Sequence, residues 1–524
     1  MIDKTPLWQK APVSRYAKLD RNADFDVVVV GGGVTGLTAA WMLKQAGRTV
    51  AVLERGRLGS GDTGYTTAHL TYVTDKRLSA LVKSFGEQAA GLTWQAGRVA
   101  QEVIERICDD QHIRCEFRRC DGYLHVPVPR GEQRDAAADE QEARELAEEA
   151  QLAQRLGFAA EFVDSVPVVN RPGICFSNQA KFQPRAYLAG LAKAIHGDGC
   201  EIFEHTEAGE VQAEPLVVKS GPYQIRAGYL VIATHVPLMG TAGLLGATFL
   251  QSKLALYSSY VVSASLETHD LPDISLWDTN DPYDYVRIDA GRNGTEIIYG
   301  GEDHKTGQVD DTEVCFEKLK SKLLALFPKA KFDHRWSGQV VETNDGLPYL
   351  GETAPHQFAA TGYAGNGLTF GTLAGLMACD AALGRENPWQ DLFSIERTKI
   401  RHSAWDYLQE NFDFPLYFIK DRLRSAEGNS VQGLKPGEGK ILKLDGQRVA
   451  CSRSDDGTLQ AVSPVCTHLG CLVHWNRAEG TWDCPCHGSR FKASGDVLAG
   501  PAETPLEAYP IDAQGHLHLE EASS

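Results

Sequence analysis

Between Asp26 and Glu54 the chain carries a pattern that leaves few folds open. Asp26-Val27-Val28-Val29-Val30 is a short β-branched run of the kind a strand buried on both faces requires. Gly31-Gly32-Gly33-Val34-Thr35-Gly36 follows, then LTAAWMLKQAG with helical character, then TVAVLE ending at Glu54. This spells a βαβ unit. In it Gly31 makes the tight turn, Gly33 lets the backbone approach a pyrophosphate, and Gly36 lets the helix pack close to the strand. Val34 and Thr35 open the helix, whose N-terminal amides face the phosphates, and Glu54 can accept from ribose hydroxyls. GxGxxG alone is weak evidence. Set between strand and helix, with an acid at the tip of the next strand, it specifies a dinucleotide site, though not whether the dinucleotide is a flavin or a nicotinamide.

A second pattern lies near the other end: Cys466-Thr467-His468-Leu469-Gly470-Cys471, then Cys484-Pro485-Cys486-His487-Gly488-Ser489. Each box offers one thiolate and one imidazole, the ligand set of a [2Fe-2S] centre with two Cys on one iron and two His on the other. Cys466 and Cys484 are expected on the first iron, His468 and His487 on the second. Tetrahedral zinc also takes Cys and His at short spacings, but zinc would leave Cys471 and Cys486 unexplained.

At 524 residues the chain is too long for one core, and length alone suggests roughly three domains. No apolar run approaches the roughly 18 residues that span a bilayer, and MIDKTPLWQKAPVSRYAKLD has no apolar signal core. A net charge of -17 would repel nucleic acid. Of the twelve cysteines, eight are scattered outside the two boxes, which suits a reducing compartment and a cytoplasmic address. Cys115 and Cys120 have dithiol spacing, but HIRCEFRRCDGYLHV reads as a strand, on which residues five apart face opposite ways. Residues 131–151, with eight acids against two arginines, read as a solvated helix face. Partial alternation predicts strands over 254–263, 283–290 and 295–301. From about 431 onward come short strands with Gly-rich turns.

Both Cys/His boxes resemble those of the Rieske family, and Gly500-Pro501-Ala502 falls where that family has its Gly-Pro loop. The resemblance implies a Rieske [2Fe-2S] cluster and a disulfide between Cys471 and Cys486 bracing the cluster loops. Upstream, Gly59-Ser60-Gly61-Asp62-Thr63-Gly64-Tyr65-Thr66-Thr67-Ala68-His69-Leu70-Thr71, Tyr229-Leu230-Val231-Ile232-Ala233-Thr234, Asn344-Asp345-Gly346-Leu347-Pro348 and Ala360-Thr361-Gly362-Tyr363-Ala364-Gly365-Asn366-Gly367-Leu368-Thr369-Phe370-Gly371 look like the D-amino-acid-oxidase/glycine-oxidase family, in that family's order. Gly240-Thr241-Ala242-Gly243 is the nearest thing to a second fingerprint, but its spacing is wrong. The resemblance covers roughly residues 25–390 and implies FAD. Arg55, Thr66, Thr67, Ala233, Thr234, Gly362, Asn366, Gly367 and Thr369 then join the fingerprint residues as its binding set. Together with Gly301-Glu302-Asp303-His304, the two regions resemble a bacterial group of FAD-dependent oxidoreductases with a C-terminal Rieske domain.

The implied fold is α/β: a Rossmann-like FAD-binding domain with an antiparallel substrate sheet over residues 1–410, a linker at 411–430, and a small all-β Rieske domain at 431–524. A flavin takes two electrons as hydride and a Rieske centre moves one at a time. The leading expectation is therefore a dehydrogenase of a small amine or amino acid that passes electrons singly through the cluster to an external acceptor. Arg287, beside Tyr283 and Tyr285, is a candidate to hold a substrate carboxylate or else a surface or inter-sheet arginine, and His304 is a candidate for the flavin rim or else a hydrogen-bonded, inert loop histidine. His69 is offset from the histidine through which some relatives attach FAD covalently, which implies non-covalent FAD. The alternatives are an electron-supplying component for a separate Rieske-type oxygenase, or a redox sensor. A self-contained oxygenase is disfavoured, since such families usually carry two His five residues apart and none of the 16 His here is so placed.

Overall fold

The computed structural model describes residues 2–129, 135–236, 253–268, 270–291, 294–309, 311–397, 426–468, 470–512 and 516–517. Gly240–Gly243 and 411–425 of the expected linker lie outside the described residues. The first expected strand runs Ala23–Val30 in the middle of an eight-stranded sheet. It is parallel to Val50–Leu53 on one side and Tyr223–Ile232 on the other. Glu201–Phe203 and Gln357–Thr361 extend the parallel part, and Tyr349–Ala354 adds an antiparallel edge. Parallel neighbours need a crossover, and helix Val34–Gln45 supplies the first. Val27 to Val30 are buried on both faces, each stabilising the sheet by about 1.5–3 kcal/mol.

Helix Val34–Gln45 buries Val34 to Ala40 and Leu43, so it is a core helix rather than an amphipathic one. It packs against helix Gly367–Ala382 at very close range because Gly375 has no side chain. A Cβ there would lie 2.7 Å from Thr38 Cβ and 2.9 Å from Ala39 N. The two helices thus begin side by side, with Gly33 and Asn366 at their N-caps.

A nine-stranded sheet forms the second layer. Its order is Lys331–Thr343, Leu254–Leu266, Gly294–Lys305, Tyr285–Gly291, Ile274–Asp278, Arg118–His125, Gly173–Lys181 and His69–Leu70, with Ala160–Val163 pairing Gly173–Lys181. All pairs are antiparallel except Ile274–Asp278 with Arg118–His125. The acidic stretch is helix Ala136–Arg155, capped by the Asp135 carboxylate accepting from Ala137 N. One acid departs from the solvated face: Glu149 is buried and accepts from Ser79 N. The Cys115–Cys120 strand is a correction. The strand begins only at Arg118, and Cys115 lies before it with Sγ 3.4 Å from Cys108 Sγ.

The C-terminal part is all antiparallel. Gly439–Leu444, Gln447–Arg453 and Leu459–Val462 form one sheet, and His474–Asn476, Thr481–Asp483, Arg490–Lys492 and Val497–Ala499 another. It is seated on the larger sheet. Thr312 Oγ1 donates to Asn476 Oδ1 at 2.7 Å, His474 Nδ1 bonds Gly307 O at 2.9 Å, and Gln339 Nε2 donates to Gly488 O at 2.9 Å. Ser337 bonds Glu479. Ala478 enters the apolar cluster that contains Phe316 and Leu319. Among the described residues, no helix is long and apolar enough to cross a membrane.

Candidate active site and iron–sulfur centre

A cavity of about 2200 Å³ opens between the two large sheets and the C-terminal domain. At one end it is lined by Gly31, Gly32, Gly33, Val34, Thr35 and Glu54, and beside them by Gly365, Asn366 and Gly367. Both helix N-termini therefore point their free amides into one space, as an anionic pyrophosphate requires. Gly31 sits at φ +111, and a Cβ there would strike Ala233 O. At Gly33 a Cβ would project beside Thr63 Oγ1 at 3.1 Å. Gly36 does not line the cavity; a Cβ there would strike Gly31 O, so it serves the helix–turn contact. Glu54 accepts from Gly32 N at 2.8 Å and Gly56 N at 2.7 Å while still lining the cavity. This donor set and its bare glycine cradle fit FAD.

Of the other residues expected to bind it, Arg55, Thr66, Thr67, Ala233 and Thr234 line the cavity. Gly362, at φ +77, makes the turn before it. Thr369 is corrected: it is buried, and its hydroxyl donates to Thr71 O at 2.7 Å, tying the helix to the segment that follows Thr66 rather than facing the cavity. Asn366 likewise donates to Val73 O at 3.0 Å.

The nine-stranded sheet closes the cavity's other end. Tyr283, just before strand Tyr285–Gly291, and Tyr285, its first residue, line it with rings 5.8 Å apart. Tyr285 shares a 2.8 Å hydrogen bond with Ser259, which donates to Asp303 at 2.6 Å. Tyr283 donates to Asp75 at 3.0 Å, and Gly365 N donates to the same carboxylate at 2.6 Å. Burial, with Asp75 and Glu302 nearby, pushes Asp303 up to about 7. His69 presents its ring edge to Tyr285 at 5.7 Å, and burial and then Arg287 push it down to about 3, so it stays neutral.

Two expected catalytic residues are placed elsewhere. Arg287 is only 1 % exposed. Its Nε and Nη2 pair with Asp289, and its Nη1 donates to Thr67 O, Ala68 O and Phe182 O. A guanidinium filled in this way cannot also hold a substrate carboxylate. It belongs to a buried charge network in which Asp289 also meets Lys181 and Arg118. His304 is corrected by strand alternation: Asp303 faces the cavity, so His304 faces away, bonded to Lys305 O and Tyr260 OH and stacked on the Tyr260 ring. Asp303, Ser259 and Asp75 escaped the sequence reading. The signal for Asp303 was present in its two-residue offset from Gly301, but the strand register was not.

The two Cys/His boxes fold as matching turns. Cys466 N donates to Cys471 O at 2.8 Å and Gly470 N to Cys466 O at 3.0 Å; Cys484 N donates to Ser489 O at 2.7 Å and Gly488 N to Cys484 O at 2.9 Å. Both turns need positive φ at their fifth residue, φ +78 at Gly470 and +69 at Gly488, where glycine is free of strain. Cys471 and Cys486 form a disulfide, with Cα atoms 6.5 Å apart. Cys466 and Cys484 are buried, and the rings of His468 and His487 stand 4.9 Å apart at 89°. Burial pushes each imidazole down to about 4, the neutral form that binds iron. Ser489 Oγ accepts from Ala502 N at 3.1 Å, and buried Phe491 stands two residues on. Two thiols and two neutral imidazoles converging from two braced turns fit a [2Fe-2S] cluster.

Glycine cradle, double helix terminus and facing antiparallel sheet define a flavin-dependent oxidoreductase, and the braced turns add a Rieske centre. The chain belongs to the FAD dependent oxidoreductase family, whose model matches residues 26–381, and residues 428–510 match the Rieske [2Fe-2S] domain. It is 29% identical over 504 residues to YhfW of Bacillus subtilis (strain 168), a Rieske 2Fe-2S iron-sulfur protein by name, covering 95% of this chain and 96% of that one. It is 26% identical over 416 residues to gamma-glutamylputrescine oxidoreductase of Escherichia coli (strain K12), covering 73% and 90%. Its fold resembles the crystal structure of glycine oxidase from Geobacillus kaustophilus, with TM-score 0.59 and 20% identity over 72% of this chain and 99% of that one.

Proposed function

We propose that this protein oxidises a small amine at a CH–NH bond and passes the electrons to an external acceptor. Bound FAD supplies a two-electron hydride acceptor, and the cluster moves electrons one at a time. The residues we assign to FAD are Gly31, Gly33, Val34, Thr35, Glu54, Arg55 and the Gly365–Gly367 helix start. To the irons we assign Cys466, His468, Cys484 and His487.

The observation that carries the substrate reading is the contrast between Arg287 and Asp303. With Arg287 closed by Asp289, a carboxylate finds no anchor there, whereas the Asp303 carboxyl opens on the cavity beside Tyr285 and Tyr283. An ammonium held at Asp303 gives up one proton to the carboxylate. The C–H bond then breaks with its electron pair leaving as hydride, and the nitrogen lone pair closes the C=N bond. Water hydrolyses the iminium to a carbonyl and an ammonium or alkylammonium ion. Leu124, Phe176 and Trp277 line the same cavity and suit the hydrocarbon part of the amine. Relatedness to gamma-glutamylputrescine oxidoreductase supports an amine substrate.

The test is anaerobic mixing with a panel of N-methylated amines, polyamines, D- and L-amino acids and NAD(P)H, following flavin absorbance. Bleaching by amines and not by NAD(P)H is the expected result. Bleaching by amino acids alone would overturn the substrate assignment, and bleaching by NAD(P)H alone would make the protein an electron donor to another enzyme.

A further inference from the structure

The segment that follows the second cluster turn faces two ways. On one side it rests on both Cys/His boxes. At Gly500 a Cβ would lie 2.6 Å from Gly488 O and 2.6 Å from Ser489 Cα, Ala502 N donates to Ser489 Oγ, and Thr504 O accepts from Thr467 Oγ1 at 2.6 Å. On the other side Leu498, Ala499, Gly500, Ala502, Glu503 and Thr504 line the same cavity as Gly31–Gly33 and Glu54. Arg55, next to the expected ribose acceptor, donates from Nη2 to Leu498 O at 3.0 Å. No regular structure holds residues 500–505; their seat is the cluster turns themselves.

We infer that the FAD site is composite: residues 498–504 of the Rieske domain form one wall of the cavity around the adenosine half of FAD, so that cluster occupancy and FAD affinity are coupled. The physical reason is ordering. Iron fixes the two turns, the turns seat the 498–504 loop, and the loop presents a prepared wall. Without iron, FAD must order that loop as it binds, at the cost of part of its binding free energy. The coupling is reciprocal by linkage, so FAD must favour the iron-loaded form by the same factor.

The experiment uses the full chain, stripped of flavin and titrated with FAD while its fluorescence quenching is followed. Three forms are compared: cluster-loaded wild type, cluster-free His487→Ala, and Thr467→Val, which loses the hydrogen bond to Thr504 O. The expected dissociation constant rises about tenfold in His487→Ala and about threefold in Thr467→Val, the latter with its Rieske electron-spin-resonance spectrum intact. Reciprocally, saturating FAD should raise the chelator concentration that strips half the iron from the wild type. Equal FAD affinity in all three forms overturns the proposal. If His487→Ala fails to fold by circular dichroism, Thr467→Val decides: unchanged FAD affinity with an intact cluster spectrum refutes the shared wall.

Discussion

The iron–sulfur turns and the substrate end of the cavity are built on opposite plans. Around the cluster the frame is tight: two turns with the same hydrogen-bond pattern, a disulfide between them, and Gly488 and Gly500 pressed against their neighbours at the second turn. At the substrate end the polar groups are linked but adjustable, and Asp303 sits near 7, where its charge changes at ordinary pH. A group that exchanges only electrons gains from a frame that does not move. A group that must take up a cation and release a proton needs a carboxyl whose two forms are close in free energy.

Five substitutions can break or sharpen that contrast. The largest effect is expected at His487. Replacement by Ala removes one of the two imidazoles from an iron, and the Rieske electron-spin-resonance signal should disappear altogether; an unchanged signal would refute the ligand assignment. Next is Gly33→Val, which presses only on Thr63 Oγ1 among the described residues and fills the space the pyrophosphate needs. FAD binding should weaken about a hundredfold or more, close to 2.7 kcal/mol, as measured by titrating flavin-stripped protein.

Asp303→Asn should be smaller and visible mainly in its pH dependence. The Asp303 carboxyl is raised by burial, by Asp75 and by Glu302, and opposed by Ser259 and Lys322. Its charged fraction therefore grows as pH rises through about 7, and kcat/KM for a cationic amine should climb between about pH 6 and 8. In Asp303→Asn that limb should flatten, with a loss of about tenfold above pH 8. A wild-type profile without the limb would remove Asp303 from the mechanism. The smallest effects belong to the cluster potential. By the Rieske resemblance, the Ser489 hydroxyl and a tyrosine hydroxyl at position 491 would bond cluster sulfurs, and such bonds stabilise the reduced state, so Ser489→Ala should lower the potential and Phe491→Tyr should raise it, as read by voltammetry.

How far the molecule was legible in its sequence follows from how locally each feature is determined. The dinucleotide cradle and the cluster turns are each closed within one short stretch, so Gly31, Gly33, Gly36 and the paired boxes could be read residue by residue. The substrate end could not. Which side chain of Gly301-Glu302-Asp303-His304 reaches the cavity depends on the register of Gly294–Lys305 against Leu254–Leu266, and that register shifts between Ser258 and Tyr260. A one-residue shift exchanges the faces of a strand, which put Asp303 where His304 was expected. Arg287 failed for a related reason. Its partner Asp289 lies two residues along the same strand and therefore on the same face, but only the tertiary fold shows that Thr67, Ala68 and Phe182 close the rest of the guanidinium. The contact between the domains was out of reach as well, because Gly307 and Pro485, or Gln339 and Gly488, meet only after both domains have folded.

That last contact makes the two flanks of the Cys/His turns unlike. The second turn is pinned from outside by Leu256, which would lie 2.6 Å from a Cβ at Gly488, and by Gly307, which lies against Cys484 and Pro485. The first turn stands at the surface, with Val465 44% exposed beside it. The paired turns are thus fastened along one flank, through Gly488, Cys484 and Pro485, and reached by solvent along the other, at Val465.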